Sequence, residues 1–363
     1  MARTTNILET PPTRVLIIKP SALGDVVTAV PVLRGLRRSF PKCHITWLVA
    51  GNCVDLIRHD SDLNDVILFD RKKSGSISLA GLKAISALKA ELAGGRFDWV
   101  IDLQGLLRSG LMTKGTRAPM RAGFADAREG AATFYTHAVK VTAPHTVDRN
   151  IELAKFLKID ARPADFTLQV SPQGRQFADE LLGQAGLRAK GFVACVPPTR
   201  WPTKVYPVRH WRAVIAQLAK QLPVVLLGGP GDSDMCAQAA GDAAGAINLA
   251  GRTSVAQMVA VIAAARGVVC SDSAAKFIAP AVGTDVLTLL GPTKLDRTGP
   301  YVPGPWVSAR SIVADVPCQG CLRRRCSHTT CMQSIRPDQV VTAAQEMLNA
   351  EVAEAAEEQQ RRC

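Results

Sequence analysis

Short, uninterrupted apolar runs recur along the chain, each followed by a segment of helix length, and this alternation leaves few folds open. Strand-like runs fall at residues 15–18, 44–49, 65–69, 99–103 and 121–124, and again at 192–196, 224–227, 246–249, 268–271 and 286–290. Strands that are apolar throughout belong in parallel sheets covered by helices on both faces. The two series are separated by residues 160–172, a stretch containing Pro163 and Pro172. The pattern therefore predicts an α/β protein of two doubly wound halves. The expected boundaries are a flexible leader at 1–13, a first Rossmann-like domain at 14–168, a second at 169–335 and a closing helical segment at 336–363. Val340, Val341, Ala344, Met347, Leu348 and Val352 mark one apolar stripe on that last helix.

Size and composition agree with this division. A chain of 363 residues is long for one domain and comfortable for two. With 47% hydrophobic and 21% charged residues it reads as an ordinary soluble protein. No stretch approaches the roughly 18 apolar residues of a membrane span. The leader is polar, carries Pro11 and Pro12, and has no apolar centre, so it is not a secretory signal. A cytoplasmic protein is expected.

The net charge of +13 is unevenly spread, with 24 Lys and Arg against 16 Asp and Glu in residues 1–165. Such a surplus suits an anionic partner (a phosphorylated lipid, a nucleotide or a nucleic acid), and it equally suits a solvated basic surface. Only three Tyr are present, which counts against base stacking on nucleic acid. No nucleic-acid partner is expected.

Residues 14–27 carry the chemistry that is easiest to read. An apolar strand runs into a polar turn and then a helix opening near Gly24 and Asp25, placing Ser21, Gly24 and Asp25 at a strand's carboxyl end. Open α/β sheets bind their ligands there. The segment has neither G-x-G-x-x-G nor G-K-[ST], so it is not a dinucleotide or Walker loop. With one Gly it suits a carboxylate held over a ligand better than a phosphate cradle, which makes Asp25 a candidate general base. The competing role for Asp25 is capping of the helix that follows.

The cysteines divide into two groups. Cys43, Cys53, Cys195, Cys236 and Cys270 sit in or beside apolar segments and read as reduced core residues. Cys318, Cys321, Cys326 and Cys331 form a C-x2-C-x4-C-x4-C cluster with His328 inside it. A structural Zn or Fe site, reduced thiols and disulfides all remain open for it. Arg323, Arg324 and Arg325, within the cluster, are placed to touch phosphate.

Taken in order, several segments resemble glycosyltransferase family nine, the ADP-heptose:lipopolysaccharide heptosyltransferases, and most of all its heptosyltransferase I branch. They are Ile18-Lys-Pro-Ser-Ala-Leu-Gly-Asp25, Ile101-Asp-Leu-Gln-Gly-Leu-Leu-Arg-Ser109, Arg121-Ala-Gly-Phe124, Trp201-Pro-Thr-Lys204 with His210-Trp211, Leu249-Ala-Gly-Arg-Thr253, Ser271-Asp272, Gly291-Pro-Thr293 and Thr298-Gly-Pro-Tyr301. The resemblance spans residues 15–341 and implies a GT-B fold: two Rossmann-like domains facing a central cleft, the acceptor on the first and the nucleotide sugar on the second. The last helix would cross back to the first domain.

It further implies inversion by a single displacement, with Asp25 as base and no metal required for catalysis. Thr199 and Lys204 would meet the diphosphate, Asp232 the ribose, Thr253 the adenine pocket, and the Asp272-Ser273-Ala274-Ala275 turn the pyrophosphate through its amides. The family pattern here is Asp-[Ser/Thr]-Gly-x-x-His, whereas this chain has Ala274 for the Gly and Phe277 for the His, with Pro280 in the helix that follows. Lys276 is placed to replace the lost donor. Ser21, Gly24, Arg71, Lys72, Lys73, Arg108 and Arg121 would meet an anionic lipid A/Kdo-type acceptor. The expected enzyme is a monomer, peripheral on the cytoplasmic face of the inner membrane. The competing functions are a family relative using another nucleotide sugar or acceptor, and a non-catalytic binding protein, which leaves Asp25 without a task.

Overall fold

The structure, a computed structural model, describes residues 10–70 and 79–362, with the backbone alone for 79–82, 84 and 350–362. The chain divides into two units, Met1–Gln169 and Val170–Cys363. In the first, β1 (Arg14–Ile18), α1 (Leu23–Val27), α2 (Val30–Ser39), β2 (His44–Ala50), β3 (Asp65–Phe69), α3 (Leu79–Gly94), β4 (Trp99–Asp102), α4 (Leu107–Gly115), β5 (Met120–Phe124), β6 (His137–Val139) and α5 (Thr146–Phe156) follow one another. The second contains α6 (Pro172–Gln184), β7 (Val193–Val196), α7 (Val208–Leu218), β8 (Val224–Leu226), α8 (Ser233–Ala240), β9 (Ala246–Asn248), α9 (Val255–Ala264), β10 (Gly267–Ser271), α10 (Ala275–Ala281), β11 (Asp285–Leu290), α11 (Leu295–Thr298), β12 (Ala309–Val313), α12 (Thr330–Gln333) and α13 (Pro337–Arg362).

Each unit holds one six-stranded parallel sheet, ordered β3-β2-β1-β4-β5-β6 in the first and β12-β11-β10-β7-β8-β9 in the second. Counted from its own first strand, the second order is the same as the first read from the other edge: 3-2-1-4-5-6, the Rossmann order. Strand order reverses between β1 and β4 in one sheet and between β7 and β10 in the other. Those reversal points are where open sheets leave room for a ligand.

The central strands are where the apolar runs are longest. Val15, Leu16, Ile17 and Ile18 of β1 and all of β4 and β7 are buried, as strands covered on both faces must be. Two strands escape the apolar-run criterion. β6 is only His-Ala-Val, and β12 reads Ala-Arg-Ser-Ile-Val with no fully buried position. Both lie at sheet edges, where one side of the strand stays in contact with water.

Close approach explains one glycine on α2. A Cβ on Gly35 would lie 2.8 Å from both the Cα and the N of Ala161, so α2 packs directly on the backbone after α5. The buried Asn150 side chain of α5 donates to the Thr28 carbonyl (2.8 Å), tying α5 to the end of α1. In the second unit Tyr206 and Trp211 are fully buried with rings edge to face at 5.7 Å, and Tyr206 Oη donates to the Ile335 carbonyl (3.0 Å). Val340, Ala344, Met347 and Leu348 of α13 join this same core. The described side chains of α13 thus pack on α7, β10 and β11 of the second unit. Among the described residues no helix is long and apolar enough to cross a membrane.

Candidate active site

In the first unit the polar turn after β1 and the turn after β4 meet at the reversal point. Asp25 is the third residue of α1, and its Oδ2 accepts a hydrogen bond from the Ala22 amide (2.9 Å). The carboxylate therefore reaches back to the helix start from inside the first turn, rather than capping from the position before it. Its other oxygen, Oδ1, takes no protein hydrogen bond among the described residues. Ser21, Gly24 and Asp25 are all half-buried.

Three groups beside Asp25 were not singled out from the sequence. Lys19 follows β1 directly, is 5% exposed, and donates through Nζ to the Leu103 carbonyl (2.6 Å). Burial lowers its pKa, and the charges of Asp25 and then Asp102 oppose that shift. Asp102 ends β4 and is fully buried. Its Oδ2 accepts from Tyr135 Oη (2.7 Å), and its Oδ1 accepts from the amides of Gln104 (2.8 Å) and Gly105 (3.2 Å). Gly105, at φ +65°, turns the chain so that its amide points back at the carboxylate. Burial pushes the Asp102 carboxyl up despite these donors, and burial together with the Asp102 charge raises the Tyr135 phenol. The rule that ligands gather beyond strand carboxyl ends points to Lys19 and Asp102 as well as to Asp25.

Two of the basic residues expected to meet an acceptor, Arg108 and Arg121, are described. Arg108 is exposed, its guanidinium 5.8 Å from the Phe69 ring centroid. Arg121 spends two donors on backbone carbonyls, Nη1 on Ala118 (2.6 Å) and Nε on Phe134 (3.0 Å). Arg71, Lys72 and Lys73 lie outside the described residues.

In the second unit the turns after β7 and β10 converge on Asp272, which is 3% exposed. Its Oδ2 faces Lys204 Nζ at 3.0 Å and accepts from the Thr293 hydroxyl, while its Oδ1 pairs with Lys276. Thr199 Oγ1 donates to the Asp272 carbonyl (3.0 Å). Burial alone would push the Asp272 carboxyl up, but the Lys276 and Lys204 ammonium groups outweigh it and hold it below the usual range. Lys276 is itself 3% exposed, so its charge serves this buried pair.

The unusual turn causes no backbone strain. Ala274 adopts φ −62° and ψ −27°, a conformation open to any residue, so the missing Gly costs nothing there. Ser273 Oγ accepts from the Ala275 amide (3.4 Å), and Phe277 is buried. Pro280 sits near the carboxyl end of α10.

The remaining donor-site candidates occupy capping positions or their neighbours. Asp232 Oδ2 accepts from the Gly229 amide (2.7 Å), closing the glycine turn after β8. Thr253 is half-buried and precedes Ser254, which caps α9 by accepting from the Gln257 amide (3.2 Å).

The cysteine cluster is not assembled as a metal site. Among the described residues no three His, Cys, Asp or Glu side chains converge to hold an ion. Cys318 and Cys321 are exposed, Cys326 is half-buried, Cys331 is buried, and all four are free. Amides of His328 and Thr329 lower the Cys326 pKa, while burial raises that of Cys331.

Comparison with known proteins agrees with this architecture. Residues 85–331 match glycosyltransferase family 9 (heptosyltransferase). Lipopolysaccharide heptosyltransferase 1 of Pseudomonas aeruginosa is 28% identical, over 93% of this chain and 98% of that one. The Escherichia coli heptosyltransferase WaaC, solved with ADP, superposes with a TM-score of 0.73 at 22% identity, over 92% of this chain and 99% of that one. A glycosyl transferase family 9 protein from Veillonella parvula superposes with a TM-score of 0.74 at 19% identity, over 93% and 97% of the two chains. The paired Rossmann sheets are those of the GT-B class. The chain belongs to glycosyltransferase family 9, the heptosyltransferases.

Proposed function

We propose that this protein transfers a heptose from ADP-heptose to a Kdo-containing lipid A core acceptor, with inversion at the anomeric carbon and no metal in the chemistry. The observation that carries the reading is Asp25. One carboxylate oxygen holds the first turn of α1, and the other is left open at the carboxyl end of β1. In this scheme the open oxygen takes the acceptor's hydroxyl proton as the acceptor oxygen bonds to the anomeric carbon. The bond from that carbon to the diphosphate breaks on the opposite side, and ADP leaves with its growing charge met by Lys204. A single displacement forms no covalent enzyme intermediate.

The donor would lie on the second unit, with its diphosphate near Thr199, Lys204 and the Ser273–Ala275 amides, its ribose at Asp232 and its adenine by Thr253. The acceptor's phosphates and Kdo carboxylates would meet the basic first unit, with the protein acting as a monomer at the cytoplasmic membrane face. Two names support this assignment: the Pseudomonas relative is a lipopolysaccharide heptosyltransferase, and a structural neighbour was solved with ADP-2-deoxy-2-fluoro heptose. Phe277, buried where the family pattern has His, favours one other reading, a different nucleotide sugar as donor.

Asp25→Asn tests the base. Asn keeps an oxygen for the Ala22 amide, so the fold and ADP binding should be retained while kcat falls by about 100-fold or more. Chelation with EDTA should leave the rate of the wild type unchanged. A variant that turns over at the wild-type rate would reduce Asp25 to a helix-terminus residue.

A further inference from the structure

Arg324 stands beside the lysine assigned to the diphosphate, on a loop that neither catalysis nor the core explains. The Thr203 hydroxyl donates to the Arg323 carbonyl (2.8 Å) across 120 positions of sequence, pinning the cysteine loop to the segment that carries Lys204. As a result the Arg324 guanidinium lies 4.6 Å from the Trp201 ring centroid, and Lys204 Nζ lies 4.4 Å from the same centroid. One indole thus gathers two cations from distant parts of the chain. Lys204 has the Asp272 carboxylate at 3.0 Å, but Arg324 is exposed and has no carboxylate partner among the described residues.

The local charge is out of balance. Asp272 already faces Lys204 and Lys276, so Arg324 adds a further positive charge to an existing surplus. Like charges on one ring repel, and only part of that cost is met by the ring's negative face. An anion bound by both would offset it. A guanidinium resting on an aromatic ring keeps its edge N–H groups in a planar fork, which matches two phosphate oxygens in a way that an ammonium cannot.

We propose that Arg324 is a second phosphate-binding cation, which together with Lys204 grips the diphosphate of the nucleoside diphosphate donor. This rests on the donor reading above and adds a residue and a division of labour to it. Lys204, tied to Asp272, supplies a fixed point charge. Arg324, held against the Trp201 ring, supplies the bidentate contact.

Calorimetric titration of the full chain with ADP and with adenosine tests the proposal. Arg324→Ala should weaken ADP binding about tenfold or more and leave adenosine binding unchanged, because only the phosphate contact is lost. Arg310→Ala, which removes an exposed arginine of the same unit that pairs with Glu346, should bind both as the wild type does. Three results would overturn the inference alone: wild-type ADP affinity in Arg324→Ala, equal losses for ADP and adenosine, or an equal ADP loss in Arg310→Ala. A wild-type protein that binds no ADP would instead overturn the donor reading, and the inference with it.

Discussion

Asp272→Ala should be among the most damaging single substitutions in the second unit, and the reason lies in what it leaves behind. The Lys276 side chain is 4% exposed, with Asp272 Oδ1 as its counter-ion. Removing the carboxylate leaves a buried ammonium without a partner, a situation that costs about 3–5 kcal/mol. Lys204, at 14% side-chain exposure, is partly screened by water and should add little to the loss. For a unit of this size that cost corresponds to a drop in Tm on the order of 10 °C.

Lys276→Met should be far milder. Asp272 would keep Lys204 at 3.0 Å and the Thr293 hydroxyl, and Met fills much of the lysine's volume. The double variant should recover part of the Asp272→Ala loss, since neither charge is then stranded.

The pH profile carries a second signature. Unfolded, Asp272 titrates near its ordinary value of 3.8, and folded it titrates lower, so its stabilisation is complete above about 3.8 and is lost as the pH falls through the depressed folded value. Asp272→Ala should therefore flatten the acid side of the stability curve. Urea denaturation of the three variants between about pH 2 and pH 5, a range that spans that titration, makes the comparison. The reasoning fails if Asp272→Ala unfolds within about 1 kcal/mol of the wild type, or if Lys276→Met costs as much.

Tyr135→Phe should lower stability by about 1.5–3 kcal/mol, because it removes the hydroxyl donor to the buried Asp102 carboxylate; a shifted denaturation midpoint at unchanged m-value would report it. Gly35→Ala should destabilise despite a helix-propensity gain of about 1 kcal/mol, because the new Cβ meets the Ala161 backbone at 2.8 Å and backbone does not rotate away. A neutral or raised Tm for Gly35→Ala would show that α2 can move.

The legible part of the fold was its most buried part. β1, β4, β7 and β10 are covered on both faces, so their sequences contain little but apolar residues and announce themselves. β6 and β12 are edge strands held in place by their neighbours, and nothing local in His-Ala-Val marks a strand. The position of Asp25 in the first turn after β1 was legible because a polar turn interrupts an apolar run directly before it.

Asp102 is the last residue of β4, and its place beside the turn after β1 is visible only once β4 is known to pair with β1. The pairing of Lys276 has a related cause: Asp272 lies in the turn before α10 and Lys276 in its first turn, and only the folded turn brings the two together. The cysteine spacing leaves metal, reduced thiols and disulfides open, because spacing alone does not dictate how thiols converge. The contact of Arg324 with Trp201 joins two distant segments and has no local sequence signal.

The central claim, heptose transfer from an ADP-linked donor, is tested most directly by the mass of the product. The purified protein would be incubated with a Kdo-containing lipid A acceptor and, in separate reactions, with ADP-heptose or with UDP- and GDP-sugars. The account predicts that only the ADP-heptose reaction adds the mass of one heptose to the acceptor, with release of ADP. Transfer from a UDP- or GDP-sugar, or an unchanged acceptor in the ADP-heptose reaction, would contradict it.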